Sequence, residues 1–151
     1  EKKIVSLAER MPEEKYAWRP GEGVRSVSEV FVHIAGGNFL YSGALGGKAP
    51  EGWPQDAEKS ITDKAKVIDW LKQSFGNARQ AVMGMSDADL DKNVKMFGRE
   101  RTARTIVLGM VSHLHEHLGQ SIAYARVNGI VPPWTEEAQQ RRQQQPPKKQ
   151  P

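Results

Sequence analysis

The stretch TARTIVLGMVSHLHEHLGQSIAYARVN, residues 102–128, carries three of the four histidines of the chain. Apolar residues recur along it at helical spacing, which predicts one long helix from about Thr102 to Asn128. Gly129 favours a helix end directly after this stretch, and the prolines at 132 and 133 prevent continuation. The stretch therefore predicts the last helix of a helical fold, and its histidines raise the question of which of them face inward.

The three histidines of this helix do not share one face. On a helix that turns about 100° per residue, His113 and His117 lie about 40° apart, on one side of the core-facing arc. His115 lies about 200° from His113, beyond that arc. The apolar part of the arc comprises Val107, Val111, Leu114, Leu118 and Ile122. We therefore expect His113 and His117 to point inward together and His115 to point elsewhere.

Three further helices are predicted upstream. The segment SVSE is a capping box, with Ser26 as N-cap and a glutamate three residues later, and it opens a second helix that carries His33 in VFVHIAGGNF. Gly36 and Gly37 in this helix lower its propensity but permit close approach of another helix or of a ligand. A third helix is expected over about residues 62–83. The first helix is only about three turns long and begins at the first residue, so we expect it to be truncated at its start.

Four helices and few strand signals predict an all-α fold, a four-helix bundle over residues 1–136. The segment 137–151 is polar and of low complexity, with many Gln, Pro and basic residues. Such a composition cannot bury enough apolar surface to fold by itself. We expect it to be a disordered tail.

The basic balance of the chain belongs to this tail. The net charge is +4, from 22 Lys and Arg against 18 Asp and Glu. Four of the basic residues lie in the last eleven positions, so the other 18 balance the 18 acidic residues. A nucleic-acid-binding domain usually has a basic face of its own, so we expect no nucleic-acid partner. No apolar run approaches the roughly 18 residues of a membrane-spanning helix, so we expect no membrane partner either.

Cysteine is absent from the chain. Disulfides, thiolate metal ligands and cysteine nucleophiles are therefore excluded, and any metal site must use His, Asp, Glu or water. The absence of cysteine is compatible with an oxidising compartment without identifying one. We expect a cytoplasmic protein. An exported or periplasmic protein is the alternative, because the chain begins with Glu1 instead of Met, which leaves room for a removed signal peptide.

Histidines four residues apart on a helix can bind one metal ion, because their side chains stack one turn apart. Two ligands are not enough for zinc or a similar ion, and the only other candidate on a core-facing arc is His33. A shared ion would satisfy the ring nitrogens of three buried imidazoles. We therefore favour a metal site of His33, His113 and His117. The alternative is that these histidines pack in the core without a metal.

Polar side chains lie one to two turns beyond these histidines and are candidates for the wall of a pocket. Two follow the histidine of the second helix, and two follow the second histidine of the pair in the last helix. Each could equally be a surface or core-packing group. The four candidates are Asn38, Tyr41, Gln120 and Tyr124.

These features resemble the DinB-like or YfiT-like family of metalloenzymes. The matching motifs are His33 in EVFVHIAG, late in the second helix, and HLHEHLGQ at residues 113–120 in the last helix. The lead-in AWRPGEGVRSVSEVFVHI and the ending YARVNGIVPPW are also similar, so the resemblance spans about residues 10–134. This chain departs from many members at Leu118, where they have Arg.

The resemblance implies a four-helix bundle of unusual connectivity that is frequently dimeric. It also implies a divalent ion, usually nickel or zinc, on His33, His113 and His117. Characterised relatives include metal-dependent thiol S-transferases that use bacillithiol or mycothiol. By resemblance, we therefore expect a small-molecule substrate, a low-molecular-weight thiol as a possible second cofactor, and a homodimer.

Three protein nitrogens with an open position are the arrangement of catalytic rather than structural zinc. The leading hypothesis is therefore a metal-dependent enzyme similar to the thiol S-transferases. A metal-dependent hydrolase is one alternative, because the same site could activate water. The other is a non-catalytic module, in which the metal joins the second and last helices and a helical face mediates dimerisation.

Overall fold

The structure, a computed structural model, describes residues 1–144 and is mostly helical. Seven helices and one two-stranded sheet make up the secondary structure of these residues, with a short 3₁₀ turn at Glu13–Lys15. None of these helices is both long and apolar enough to cross a membrane. The elements are α1 (Lys2–Arg10), α2 (Val27–Ala44), α3 (Ala57–Ser60), α4 (Lys64–Met83), α5 (Asp87–Leu90), β1 (Asn93–Met96), β2 (Arg99–Thr102), α6 (Ala103–Val127) and α7 (Pro133–Gln144).

Helix starts follow the local sequence. The predicted capping box of α2 is present: the Ser26 hydroxyl accepts a hydrogen bond from the Glu29 amide, and the Glu29 carboxylate accepts one from the Ser26 amide. Asp63 caps α4 and Thr102 caps α6 in the same way, each accepting from the amide three residues later. Each cap satisfies a backbone N–H that has no partner inside its helix, and is worth about 1 kcal/mol.

The core is built around α2. This helix packs against both α4 and α6, and it buries residues on most of its circumference. Leu7 of α1, Phe31 and Ile34 of α2 and Leu71 of α4 are all fully or almost fully buried in one hydrophobic cluster. Burying each such side chain contributes roughly 1.5–3 kcal/mol. Because α2 packs against α6, its half-buried His33 lies close to the last long helix.

The segment between α5 and α6 forms an antiparallel hairpin, in which Met96 pairs with Arg99. Phe97 and Gly98 form its two-residue turn, with φ of 51° and 72°. Two successive positive φ values are typical of a type I′ turn, whose twist matches that of the flanking strands. The sequence indicated only an irregular or briefly extended segment here, so an all-α description of the fold is incomplete.

The expectation of a disordered tail from residue 137 was wrong for residues 137–144, because α7 continues to Gln144. Its composition explains this. Pro133 occupies the first helical position, Glu136 lies in the first turn, and Arg141 and Arg142 lie in the last turn, which suits the helix dipole. Arg10 of α1 also forms an ion pair with Glu136, at 3.0 Å. The remainder of the predicted tail, 145–151, lies outside the described residues.

The buried face of α6 is centred on its histidine face. The expected apolar arc is only partly covered: Val111 is 43% exposed, and the other four members are half-buried. Hydropathy alone would predict aliphatic residues at the centre of the buried face of α6. Polar residues with hydrogen-bond partners lie there instead. The buried residues of α6 are Ala103, Ile106, Met110, His117, Ser121, Tyr124 and Ala125.

Candidate metal centre

The structure brings His33 of α2 together with His113 and His117 of α6. Each of the three offers a ring nitrogen, and these nitrogens all lie within 4.8 Å of one another. The Nε2 atoms of His33 and His113 are 3.1 Å apart. His117 is buried, whereas the other two are half-buried. His115 is exposed, and its Nδ1 faces the backbone oxygen of Val111, so it lies outside the cluster as expected.

His33 is oriented by a charged pair. Its Nδ1 lies 2.7 Å from a carboxylate oxygen of Glu58 on α3, and the Arg25 guanidinium binds the other oxygen at 2.6 Å. Burial alone would raise the pKa of Glu58, but the hydrogen bonds from Arg25 and His33 outweigh it and lower the pKa. An ionised carboxylate only accepts, so Nδ1 of His33 is the donor. Burial lowers the pKa of His33 and favours its neutral form, whose Nε2 lone pair then faces the other histidines.

His117 is oriented by a neutral chain of hydrogen bonds. Its Nδ1 lies 2.9 Å from Gln120 Oε1, the Gln120 amide nitrogen donates to the Tyr124 hydroxyl at 3.1 Å, and that hydroxyl donates to the Arg25 carbonyl at 3.0 Å. The donors and acceptors in this series of hydrogen bonds are set by the Arg25 carbonyl at its end, because a carbonyl oxygen can only accept. Nδ1 of His117 is therefore the donor, and its Nε2 carries the free lone pair.

His113 is positioned by shape instead of by a hydrogen bond. Its buried Nδ1 has no hydrogen-bond partner among residues 1–144. The ring lies against Gly37 of α2, where an added Cβ would be 2.8 Å from Nδ1 and closer still to Cε1. Tyr41, one turn further along α2, also lies beside the ring, with ring centroids 5.8 Å apart. Burial, reinforced by His117 and His33, lowers the pKa of His113 to about 4, so the ring is neutral at neutral pH.

This donor set fits a divalent metal ion. The hydrogen bonds of two imidazoles leave their Nε2 lone pairs free, and burial keeps His33 and His113 unprotonated, as metal ligands must be. A separation of 3.1 Å between two ring nitrogens is compatible with both binding one ion at about 2.0–2.1 Å each. Ligating histidines commonly donate their other N–H to a carboxylate or an amide oxygen, as His33 and His117 do here.

An open cavity of about 530 Å³ adjoins the cluster. His33 and His113 form part of its wall, together with Tyr41 and with Trp53 from the segment between α2 and α3. The Trp53 ring lies over Gly36, where an added Cβ would be 3.3 Å away. The expected close approach at the paired glycines is therefore present: Gly36 lies against an indole and the next residue against an imidazole.

The predicted pocket residues divide into three groups. Tyr41 lines the cavity. Gln120 and Tyr124 form the hydrogen-bond chain behind His117 and do not line it. Asn38 lies elsewhere: its fully buried side chain donates to the Ser74 hydroxyl of α4 at 3.0 Å, between the two helices.

Sequence reasoning missed four residues around the cluster. They come from segments without helical periodicity, so their positions depend on tertiary contacts that spacing does not reveal. The only local signal was the density of Gly and Pro in the segment between α2 and α4, which indicated a loop but no site. The missed residues are Arg25, Trp53, Glu58 and Phe97.

Solved structures with the same fold come from several bacteria. A DinB-like protein from Bacillus cereus is 17% identical, with a TM-score of 0.77 and coverage of 87% of each chain. A DinB-like protein from Bacillus subtilis is 22% identical, with a TM-score of 0.66, covering 86% of this chain and 87% of the other. A conserved protein from Enterococcus faecalis is 14% identical, with a TM-score of 0.61, covering 83% and 88%. At these identities the similarity shows the fold. No curated protein matches the chain.

Fold and site together define a mostly helical protein in which two helices bring three histidines into one candidate metal centre. The family model of the DinB superfamily matches residues 1–121. The chain belongs to the DinB superfamily.

Proposed function

We propose that this chain is a divalent-metal-dependent enzyme that transfers a small thiol to an electrophilic substrate. His33, His113 and His117 would hold the ion, with nickel or zinc as the expected metals. The observation that carries the proposal is the convergence of three ring nitrogens beside an open cavity, with two of the histidines already oriented for ligation.

A bound divalent ion with an open position would lower the pKa of a coordinated thiol, as it does for water, and keep it as the nucleophilic thiolate. The protein groups contribute orientation and exclusion of solvent. Glu58 and Gln120 keep the Nδ1 protons of His33 and His117 in place, so that both Nε2 atoms stay directed at the centre. Tyr41 and Trp53 supply apolar walls on which the electrophile can be positioned.

The open cavity favours an enzyme over a non-catalytic module. A metal that only joins two helices needs no cavity beside its ligands, whereas a reaction needs room for the reacting groups. A metal-dependent hydrolase would use the same residues, with water in place of the thiol. The homodimer stays a prediction from the resemblance to the family.

Metal content tests the first half of the proposal. The chain is stripped with chelator, reloaded with zinc or nickel, and analysed for bound metal beside His113→Ala and His115→Ala. We expect one ion per chain in the wild type and in His115→Ala, whose ring lies outside the cluster, and a loss of stoichiometric metal in His113→Ala. Equal metal content in all three proteins would overturn the three-histidine site.

Turnover tests the second half. Monochlorobimane is offered with bacillithiol, mycothiol or glutathione; the thiolate sulfur bonds to carbon, chloride leaves, and the fluorescent conjugate is measured. We expect metal-dependent conjugation with at least one thiol and a loss of at least tenfold in His113→Ala. Metal-loaded protein that hydrolyses p-nitrophenyl acetate but conjugates none of the thiols would replace the transferase proposal by the hydrolase.

A further inference from the structure

The cavity beside the histidines is walled mainly by apolar and aromatic groups. Its lining includes Leu40 and Tyr41 of α2, Trp53 from the segment between α2 and α3, and Phe97 from the turn of the hairpin. A second cavity shares Leu40, Trp53 and Phe97 with the first, so these three side chains form a continuous apolar surface. We refer to Leu40, Tyr41, Trp53 and Phe97 as the apolar wall.

Two of the three charged side chains at the rim are held in ion pairs, and the third, Asp56, is exposed. Glu58 binds Arg25 and His33, and Lys59 binds Glu29 at 2.6 Å. A ligand that entered the cavity would therefore meet apolar surface rather than free charges at these positions. This favours an uncharged aromatic or branched aliphatic group, for which burial against the wall is the main source of affinity.

Phe97 stands out within the wall in two independent ways. Its backbone has φ of 51°, a left-handed conformation that is unfavourable for a bulky side chain and that Asn adopts far more readily. Its side chain is 73% exposed, although Phe is among the residues that bury most readily. Asn would suit the backbone conformation at this position better than Phe, and a ligand beneath the Phe97 ring would cover apolar surface that the fold leaves exposed.

We propose that the apolar wall binds the aromatic or branched aliphatic group of a small-molecule substrate, and that Phe97 packs over that group as the outer contact of the site. The assignment of this molecule as a substrate rests on the proposed function. The binding itself depends only on the wall. The cavity volume of about 530 Å³ lies within the range of sites for drug-sized ligands.

The test uses N-phenyl-1-naphthylamine, an uncharged aromatic probe that becomes fluorescent in apolar sites and accepts energy from tryptophan. Phe97→Asn is compared with Val127→Asn, whose side chain is also 73% exposed but lies at the end of α6. We expect Phe97→Asn to raise the Kd of the probe at least fivefold while Tm stays the same or rises, because Asn suits the turn. Val127→Asn should leave the Kd unchanged.

Two results would overturn this proposal: a Kd that Phe97→Asn leaves unchanged, or one that both substitutions raise equally. A third variant, Trp53→Leu, separates binding in the cavity from binding elsewhere, because it should both weaken binding and reduce energy transfer from tryptophan. Failure of the metal centre is distinguished by titrating the same proteins with zinc. Probe binding that depends on Phe97 in a protein without metal affinity would uphold the wall and refute the metalloenzyme.

Discussion

The three histidine rings are oriented in two different ways, by hydrogen bonds in one region of the site and by close packing in the other. On one side, His33 and His117 are each held by a hydrogen bond at Nδ1, through a charged arm (Glu58 with the Arg25 guanidinium) and a neutral arm (Gln120, Tyr124 and the Arg25 carbonyl). On the other side, Nδ1 of His113 has no such bond within residues 1–144, and the ring lies against the backbone of α2 at Gly37. Hydrogen bonds select a tautomer, whereas shape selects only a position. Each mode should fail under a different kind of substitution.

Gly37→Ala should have the largest effect, because it removes the space on which His113 depends. The new methyl group would force the ring away from the cluster, since its Cβ would lie 2.8 Å from Nδ1. We expect zinc affinity, measured by competition with a chromogenic chelator, to fall by roughly 100-fold, the upper end of the range for loss of an orienting group. Gly43→Ala is the control: a Cβ there meets open space among the described residues, so affinity should hold and α2 should gain up to about 1 kcal/mol. Equal affinities of the two variants would show that shape does not position His113.

Glu58→Ala should have the next largest effect, because it leaves His33 without its acceptor and Arg25 without its counter-ion. Loss of such a partner typically costs about 10–100-fold in metal affinity. Glu58→Gln should recover part of the loss, since an amide oxygen can still accept from Nδ1 but carries no charge. Isothermal titration with zinc gives the three values, and identical affinities for Glu58→Gln and Glu58→Ala would assign the whole effect to charge.

Gln120→Ala should weaken zinc binding less, by about tenfold, at the lower end of the range for such partners. The neutral arm carries no net charge, so its removal leaves no buried ion behind. Tyr124→Phe removes the hydroxyl that joins Gln120 to the Arg25 carbonyl and should cost only about two- to fivefold, because the hydrogen bond from His117 to Gln120 remains. A larger loss from Gln120→Ala than from Glu58→Ala would reverse the ranking of the two arms.

Acid should destabilise the metal-free protein through His113, which is an effect on folding and not on metal affinity. Burial lowers the pKa of His113 to about 4, below its ordinary value of 6.5, so the unfolded chain binds more protons between these values. The free energy of unfolding should therefore fall as pH decreases from about 6.5 to about 4, with no further contribution from His113 below that. Urea unfolding of wild type and His113→Gln at several pH values measures this difference. A parallel pH dependence of the two proteins would contradict the assignment.

The start of α2 and the histidine pair could be predicted from local sequence signals, whereas other parts of the fold and the site could not. Ser26 and Glu29 predict the start of α2 because a capping box is a local signal, and the spacing of His113 and His117 is a local property of one helix. The approach of His33 to that pair was predicted by elimination, because His33 was the only other histidine on a core-facing arc, and the resemblance implied it as well. No local signal joins positions about eighty residues apart. Glu58 had no signal at all, because its partners lie on other elements. Low hydropathy at residues 137–144 gave no indication of α7, although the Glu, Ala, Gln and Arg residues there have high helix propensity.

Two ion pairs join the short helix α3 to the start of α2. In one pair the basic residue lies at the start of α2, and in the other the acidic residue does. Arg25 binds Glu58, and four residues later Glu29 binds Lys59, so a reversed or shifted α3 would bring like charges together. The ion pairs at the start of α2 therefore fix the position and direction of α3, which has little apolar surface of its own. Since Arg25 also terminates both arms, the capping of α2, the docking of α3 and the orientation of two histidines are assembled as one cooperative unit, and substitutions in the two arms should be non-additive.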